Sequence, residues 1–198
     1  MFAYRLSFEG VDVNPPPPAG YFLDCMILSP RNADVADLNQ LLLDQMAGEA
    51  HQYVSADTIV QEAGADPVDP EPIPIEVLHS IFSSSLPPGE LNLKVGCPVI
   101  LLRNLDPSRG LCNGTRMVIT RMRDRVLEGR LLGGEHDGEI ALISCISLIP
   151  TGTTGLTFLL RRHQFPVQPA FALSINKSQG QSVKYIGIHL QVPVFAHG

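Results

Sequence analysis

Between Leu91 and Ser147 the chain reads as short β-forming runs cut apart by turn residues, and this rhythm limits the fold more than any other feature. Val99 to Arg103, Arg116 to Met122, Arg125 to Leu132 and Glu139 to Ser147 are apolar or alternating. Asp106-Pro107, Ser108 to Gly110, Asn113-Gly114, Asp124 and Gly133-Gly134 stand between them. Asn-Gly is the strongest two-residue hairpin signal, because both central positions of the favoured turn need positive φ. A helix of useful length has no room between such breakers, so the stretch is expected to close into a small β-barrel.

The flanks follow a different rule. Tyr21 to Leu28 is an apolar, partly β-forming run that stops at Ser29-Pro30, and Asn32 is placed to cap a helix over 33–46. Val35, Leu38, Leu42 and Met46 share one face of it. Asp34 and Asp37 sit in its first turns, where the helix dipole favours negative charge, and Gly48 is placed to end it. After Pro150, Thr157 to Leu160 is expected to pair with Phe165 to Gln168 across a turn at Arg161-Arg162-His163. Ala170 to Ile175 reads as a buried strand and Tyr185 to Leu190 as a further one. A strand, turn and helix before the barrel, with a return to that pattern in the strands after it, read as an α/β fold interrupted by an insertion.

The remaining segments are connectors. Pro15 to Pro18 can only be extended and sets off residues 1–20 as a poorly anchored start. Residues 61–74, rich in proline and acid, have the composition of a solvated, mobile loop. A short helix over Ile75 to Phe82 follows Pro74, with Val77, Leu78 and Ile81 packing together, and Ser83 to Ser85 end it. The expected division is 1–20, 21–60, 61–90, a barrel over 91–150, and 151–198. At 198 residues the chain suits one ordinary domain or two small ones.

Several function classes are excluded by what is missing. No apolar run reaches the roughly 20 residues of a membrane span, and Met1 to Gly10 lacks a signal-peptide core, so the cell interior is expected. Cys25, Cys97, Cys112 and Cys145 stand far apart without a CxxC pair and read as buried thiols. Lys94, Lys177 and Lys184 follow Leu, Asn and Val, so no GxxxxGK[ST] phosphate loop exists in these residues. GxSxG, HExxH and GxGxxG are absent too, and no metal ligands are expected.

Charge is distributed unevenly. Residues 1–90 carry two basic and fourteen acidic residues, a net of −12, whereas 91–198 carry twelve basic and six acidic, a net of +6. A polyanion would meet the second half, although an acidic insertion that merely dilutes the first half gives the same asymmetry. Arg116, Arg121, Arg123, Arg125 and Arg130 crowd one part of the barrel. Alternation can make them a phosphate-tracking surface or an ordinary solvated face. The chain has no Trp, and Phe158, Phe165 and Tyr185 are assigned to the core rather than to base stacking.

The strand over Ala170 to Ile175 runs into Asn176-Lys177-Ser178-Gln179-Gly180-Gln181-Ser182. Lys177 supplies a point charge, Ser174 and Ser178 supply hydroxyls, and Gly180 lets backbone come close, which are the parts needed to hold phosphate. An ordinary helix start without a ligand uses the same parts.

The string Phe171-Ala172-Leu173-Ser174-Ile175-Asn176-Lys177-Ser178-Gln179-Gly180-Gln181 resembles the fifth motif of superfamily 1 DNA helicases, most closely the PIF-like group that includes the helicase halves of Helitron transposons. Leu28 to Asn32 with Val35 and Asn39 resembles the opening of the second RecA-like domain of that group. Leu91 to Pro107 with Gly110 to Arg116 resembles its inserted SH3-like barrel, and Arg162, Gln164, Phe165 and Pro166 resemble the return into the RecA-like domain. The resemblance runs from about residue 21 to the end.

The resemblance implies an α/β fold: a partial RecA-like domain of P-loop NTPase type interrupted by a small SH3-like β-barrel. It implies an ATP-dependent 5′-to-3′ DNA helicase, using ATP and Mg2+ in the intact enzyme, with genome-maintenance roles in repair, recombination and telomere maintenance. It places Lys177, Ser178, Gln179 and Gly180 between nucleotide and DNA, and Ser174 against the DNA backbone. Arg31 is carried over as a contact to the terminal phosphate of ATP, with a structural arginine at a helix start as the other reading. Lys94, Arg103 and Arg116 are carried over as barrel contacts to DNA, again with structural roles as the alternative. The implied partners are single-stranded DNA and a first RecA-like domain; the implied compartment is the nucleus, with the mitochondrion open.

Departures from the pattern matter as well. The sixth motif, the phosphate loop and the magnesium-binding acids are absent from this sequence, and Cys25 stands where a basic residue is expected. The chain alone is therefore expected not to hydrolyse ATP. The alternatives are a non-catalytic module that binds single-stranded nucleic acid through barrel arginines, and a decayed transposon relic.

Overall fold

The structure is a computed structural model that describes residues 24–60, 73–81, 85–150, 158–181 and 183–190. The expectations for the Pro15–Pro18 segment, most of the 61–74 loop, Phe82 to Ser84, Ser182 and the C-terminal His197-Gly198 lie outside the described residues. In chain order the elements are β1 (Cys25–Ser29), α1 (Asn32–Gln45), β2 (His51–Val54), β3 (Ala56–Val60), α2 (Ile75–Ser80), β4 (Glu90–Leu93) and β5 (Pro98–Leu101). They continue with β6 (Arg116–Met122), β7 (Val126–Leu132), β8 (Ile140–Ser144), β9 (Ile146–Leu148), β10 (Leu159–Gln164), β11 (Val167–Pro169), β12 (Ala172–Ser174) and β13 (Tyr185–Ile188). Among the described residues no helix is long and apolar enough to cross a membrane.

Segments far apart in the chain build a parallel sheet. β1 lies between β12 and β13, parallel to both, with Ser29 opposite Ser174 and Cys25 opposite Tyr185. α1 covers this sheet through Val35 and Leu38, which pack with Ala172 and Ile27. One turn further on, Leu42, Leu43 and Met46 enter the barrel core instead. A single apolar stripe thus serves two cores, as the spacing of these residues requires.

The helix ends differ from expectation at one side only. Its N-cap is Arg31, in extended conformation, and no side chain caps the backbone; Asn32 is already inside the helix. Arg31 instead reaches forward to Asp34, which also accepts from the Ser29 hydroxyl. That guanidinium holds the Asp34 carboxyl below the usual carboxylate range. At the other end Gly48 adopts φ +103°, a left-handed conformation open to glycine.

The barrel region is antiparallel: a five-stranded sheet in the order β11-β5-β6-β7-β8. Its inner face carries Val99, Leu101, Met117, Ile119, Leu127, Leu131 and Ile143, all buried. Asn113-Gly114 forms a tight turn, closed by the Thr115 N–H donating to the Cys112 carbonyl at 3.0 Å with Gly114 at φ +94°, but not the expected two-residue hairpin: β5 and β6 are joined by the longer segment 102–115, and Asn113 keeps a negative φ. A bulge at Thr120 shifts the β6–β7 register between Ile119 and Arg121. β2 and β11, which lie outside 91–150, both pair with strands of this region: β2 with β4, and β11 with β5.

The largest departure concerns residues 159–168. The expected hairpin with a turn at Arg161-Arg162-His163 does not form. Those residues lie inside β10, which pairs with β3 on one side and β9 on the other. The burial alternates strictly along β10, so Leu160, Arg162 and Gln164 point inward. Two arginines and a histidine in succession read as a turn, but Arg162 finds a full set of buried partners. Its Nε and Nη2 donate to Asp57 of β3, Nη2 also to the Leu78 carbonyl at 2.6 Å, and Nη1 to the Ile81 and Pro87 carbonyls at 3.2 and 3.0 Å. Both side chains of the Arg162–Asp57 pair are fully inaccessible to solvent.

Three smaller expectations are corrected. Val77 is exposed, leaving Leu78 as the buried residue of α2. Tyr185 is 65% exposed on β13 and is not core. Of the four thiols only Cys97 is buried, its pKa pushed up to about 12 by desolvation; Cys25, Cys112 and Cys145 are half-buried.

Substituting Arg162→Met strands the Asp57 carboxylate and three carbonyls in the interior, which costs about 3 to 5 kcal/mol. The R162M/D57L double variant, in which no charge is left unpaired, is expected to lose less; urea unfolding of both variants measures the difference.

Candidate functional site

In open parallel sheets the ends where strands finish leave a crevice for ligands. Here β12 finishes at Ser174 and passes directly into a 3-10 turn over Ile175–Ser178. A groove of about 300 Å3 lies beside this junction. One wall is the first half of α1, with Asn32, Val35, Asp37 and Gln40; the opposite wall is β4 with Glu90 and Asn92. Gln168 and Pro169 of β11, then Ser174 and Lys177, complete it. The groove therefore joins the parallel sheet to the barrel region, although its parts are scattered over most of the sequence.

What positions β12 is a side chain rather than a strand. β12 is the edge of its sheet, and the outward N–H and C=O of Ala172 have no strand partner there. Asn39 of α1 takes both: its Nδ2 donates to the Ala172 carbonyl at 3.1 Å and its Oδ1 accepts from the Ala172 N–H at 2.9 Å. This amide clamp fixes the height of β12 against α1 and so sets where Ser174 and Lys177 meet the groove.

The residues picked out around the fifth motif separate into two kinds. Ser174 is buried and lines the groove together with Lys177. Burial lowers the Lys177 ammonium to about 8, and its Nζ donates to Gln168 Oε1 at 3.1 Å. Ser178 instead closes its own turn, its hydroxyl donating to the Ile175 carbonyl at 2.7 Å. Gly180 supplies φ +82° to the turn that follows, and Gln179 is exposed there. The loop is held at its far end by Gln181, whose amide donates to the Gly114 carbonyl in the β5–β6 connection at 2.9 Å.

The barrel candidates do not gather at the groove. Lys94 is buried, and its ammonium donates to the Met46 and Asp44 carbonyls at 2.7 and 3.3 Å, so it caps the C-terminal end of α1, the structural role left open for it in the sequence. Arg116 is buried as well, reaching the Cys25 carbonyl at 3.3 Å and tying β6 to β1. Arg103 is half-buried and donates to the Ile149 carbonyl at 3.1 Å. Sequence spacing marks these as basic residues on strands but says nothing of which carbonyls they find. Arg121, Arg123, Arg125 and Arg130 are exposed, three of them around the β6–β7 turn; Arg121 stands 3.9 Å from Glu128. Arg31 is half-exposed and engaged by Asp34, apart from the groove lining.

Gln168, Asn92, Asp37 and Glu90 line the groove without having been singled out in the sequence, where nothing distinguishes them from ordinary polar residues. Chemically the groove offers one ammonium, one hydroxyl and several amides for an oxyanion, with Asp37 and Glu90 limiting its positive potential. No group of three His, Cys, Asp or Glu fit for a metal ion occurs among the described residues. With no phosphate loop either, the residues present do not suit Mg2+-ATP by themselves.

The 2B domain of the DNA helicase Pif1 matches residues 76–122. The ATP-dependent DNA helicase PIF1 of Homo sapiens is 34% identical over 168 residues, covering 83% of this chain and 23% of that protein. The Pif1 helicase from Candida albicans has the same fold at a TM-score of 0.61, with 26% identity over 87% of this chain and 40% of that one. Pif1 from Bacteroides in complex with ADP-AlF3 and single-stranded DNA follows at 0.56 and 22% identity, over 86% of this chain and 35% of that one. The fold is thus that of a partial RecA-like α/β domain interrupted by a small barrel. The chain is Pif1-like, and it spans less than a quarter of the length of the curated PIF1 relatives it matches.

Two stability tests follow from the placement. Asn39→Ala leaves both Ala172 groups unpaired and is expected to cost about 1 to 3 kcal/mol, read by thermal unfolding. Lys94→Met keeps the buried stem but abandons two helix carbonyls, at a similar cost of about 1 to 3 kcal/mol. Single-stranded DNA affinity per folded molecule should be unchanged by Lys94→Met, whereas a true barrel contact would lose affinity.

Proposed function

We propose that this chain forms the second RecA-like domain, with its barrel insertion, of a Pif1-type ATP-dependent DNA helicase, and that its groove holds the backbone of single-stranded DNA. The observation that carries the reading is the meeting of Ser174 and Lys177 at the end of β12 with walls from α1 and β4. A strand end, an ammonium and a hydroxyl in one cleft suit a phosphate, and Pif1 of the same fold binds single-stranded DNA. In the assembled helicase, ATP and Mg2+ supply the free energy for 5′-to-3′ stepping, and a first RecA-like domain supplies the phosphate loop. The fifth-motif loop then couples the two, because Lys177 faces the groove while Gln181 is tied to the β5–β6 connection of the barrel. These residues alone do not hydrolyse ATP, and the protein works on DNA inside the cell.

Binding of a fluorescent oligo-thymidine measured against salt tests the reading. Lys177→Ala should weaken binding about tenfold and make the slope of log affinity against log salt shallower by about 0.7, the value for one lost single-strand phosphate contact. Wild-type affinity and slope in Lys177→Ala would remove the groove from consideration. A second reading is favoured by the exposed arginines at the β6–β7 turn: a non-catalytic module binding nucleic acid on the barrel. It predicts that R123E/R125E abolishes binding while Lys177→Ala leaves it intact.

A further inference from the structure

We propose that Gln168 is a positioning residue for Lys177: its side-chain oxygen fixes the ammonium at the groove, still charged, for a DNA phosphate. This inference rests on the groove reading above and goes beyond it in assigning a role to a barrel-sheet residue outside the fifth motif.

The pairing of the described cations shows why Lys177 is unusual. Arg31 is held by Asp34, Arg162 by Asp57 and Lys184 by Asp24 at 2.9 Å, each a carboxylate that neutralises its partner. Lys94, Arg103 and Arg116 donate to backbone carbonyls that tie separate segments together, away from the groove. Lys177 is held by a neutral amide oxygen at 3.1 Å, so its charge is oriented without being cancelled. An ammonium has three donors. One goes to Gln168, which leaves two for an incoming oxyanion.

Gln168 is also a rigid support. It lies on β11 opposite Ile100 of β5, next to the fully buried Val167. The chain on either side is pinned to the barrel: the Leu102 N–H donates to the Pro166 carbonyl at 2.8 Å, and the Ala170 N–H to the Pro98 carbonyl at 2.9 Å. The lysine stem is flexible and loses rotamer freedom when its head is held in one place. An acceptor fixed in advance meets part of that loss before DNA arrives, which is how preorganisation strengthens binding. The charged groups facing Lys177 across the groove are Asp37 of α1 and Glu90 of β4.

The pH profile distinguishes positioning from mere packing. In the wild type, oligo-thymidine affinity should fall as pH rises through about 8, where Lys177 loses its proton. Gln168→Leu removes the oxygen that favours the charged form, so affinity should drop about 3- to 10-fold at neutral pH and the fall should move to lower pH. Gln168→Glu places a carboxylate there; the fall should move to higher pH, while affinity weakens because the carboxylate competes with phosphate. Should Gln168→Leu fail to fold, Gln168→Glu, of equal length, still reads the shift. If Lys177→Ala weakens binding but both Gln168 variants keep wild-type affinity and pH profile, the positioning role is overturned and the groove reading survives. If Lys177→Ala itself has no effect, both fall together.

Discussion

A buried guanidinium organises the three-stranded sheet β3-β10-β9 and the segments packed against it. All five N–H donors of Arg162 are used, on Asp57 of β3 and on the carbonyls of Leu78, Ile81 and Pro87. Each contact draws a different stretch of chain to β10: a strand, the end of a short helix and the segment leading into β4. Taking a charge out of water costs several kcal/mol, so the site is stable only when geometry and partners are complete. Two residues along the same inward row, Gln164 donates to the Tyr53 carbonyl at 3.0 Å and accepts from the Phe165 N–H, which carries the order on toward β11. Phe165 then packs edge-on against Tyr53 at a centroid distance of 4.9 Å. One polar row of a strand thus sets the path of the chain from the barrel back to the parallel sheet.

From that return path the groove follows. β11 hydrogen-bonds to the barrel, β12 to β1, and only Ala170 and Phe171 separate them. A residue on β11 and a residue past β12 are therefore held close although they belong to different sheets. α1 reinforces the arrangement from the other side. Its upper turns pack on the parallel sheet, its last turn fills the barrel core, Asn39 clamps β12, and Lys94 caps its end. Loosening the barrel would in this arrangement reach the fifth-motif loop through Gln168 and Gln181, both of which bind it from or to the barrel sheet.

Much of the architecture was legible along the chain because local physics dictated it. Asn113-Gly114 turns the chain, β6 spans Arg116–Met122 as the run between turn residues predicts, and the stripe Val35, Leu38, Leu42, Met46 is buried along α1 and its C-cap. Buried cations are the least legible feature. Arg161-Arg162-His163 reads as a turn, since a charged residue is normally exposed, and for Lys94 and Arg116 the sequence leaves a surface contact and a structural role both open. Each of these buried cations is instead satisfied by carbonyls or a carboxylate distant in sequence, such as Asp57 for Arg162 and Met46 for Lys94. Pairings of that kind leave no periodic trace. Tyr185 failed in the opposite direction, an aromatic residue on an apolar strand that the fold leaves exposed.

By itself the sequence determined the strand-and-turn rhythm of the barrel, the α/β steps around it, the fifth-motif string and the family likeness, because these depend on spacing and on residue type over short stretches. The tertiary structure alone decided which cations are structural and which face a cleft, that an amide from α1 closes the edge of β12, and that Gln168 meets Lys177. Those outcomes turn on hydrogen-bond partners from separate elements, which only the packed chain brings within reach.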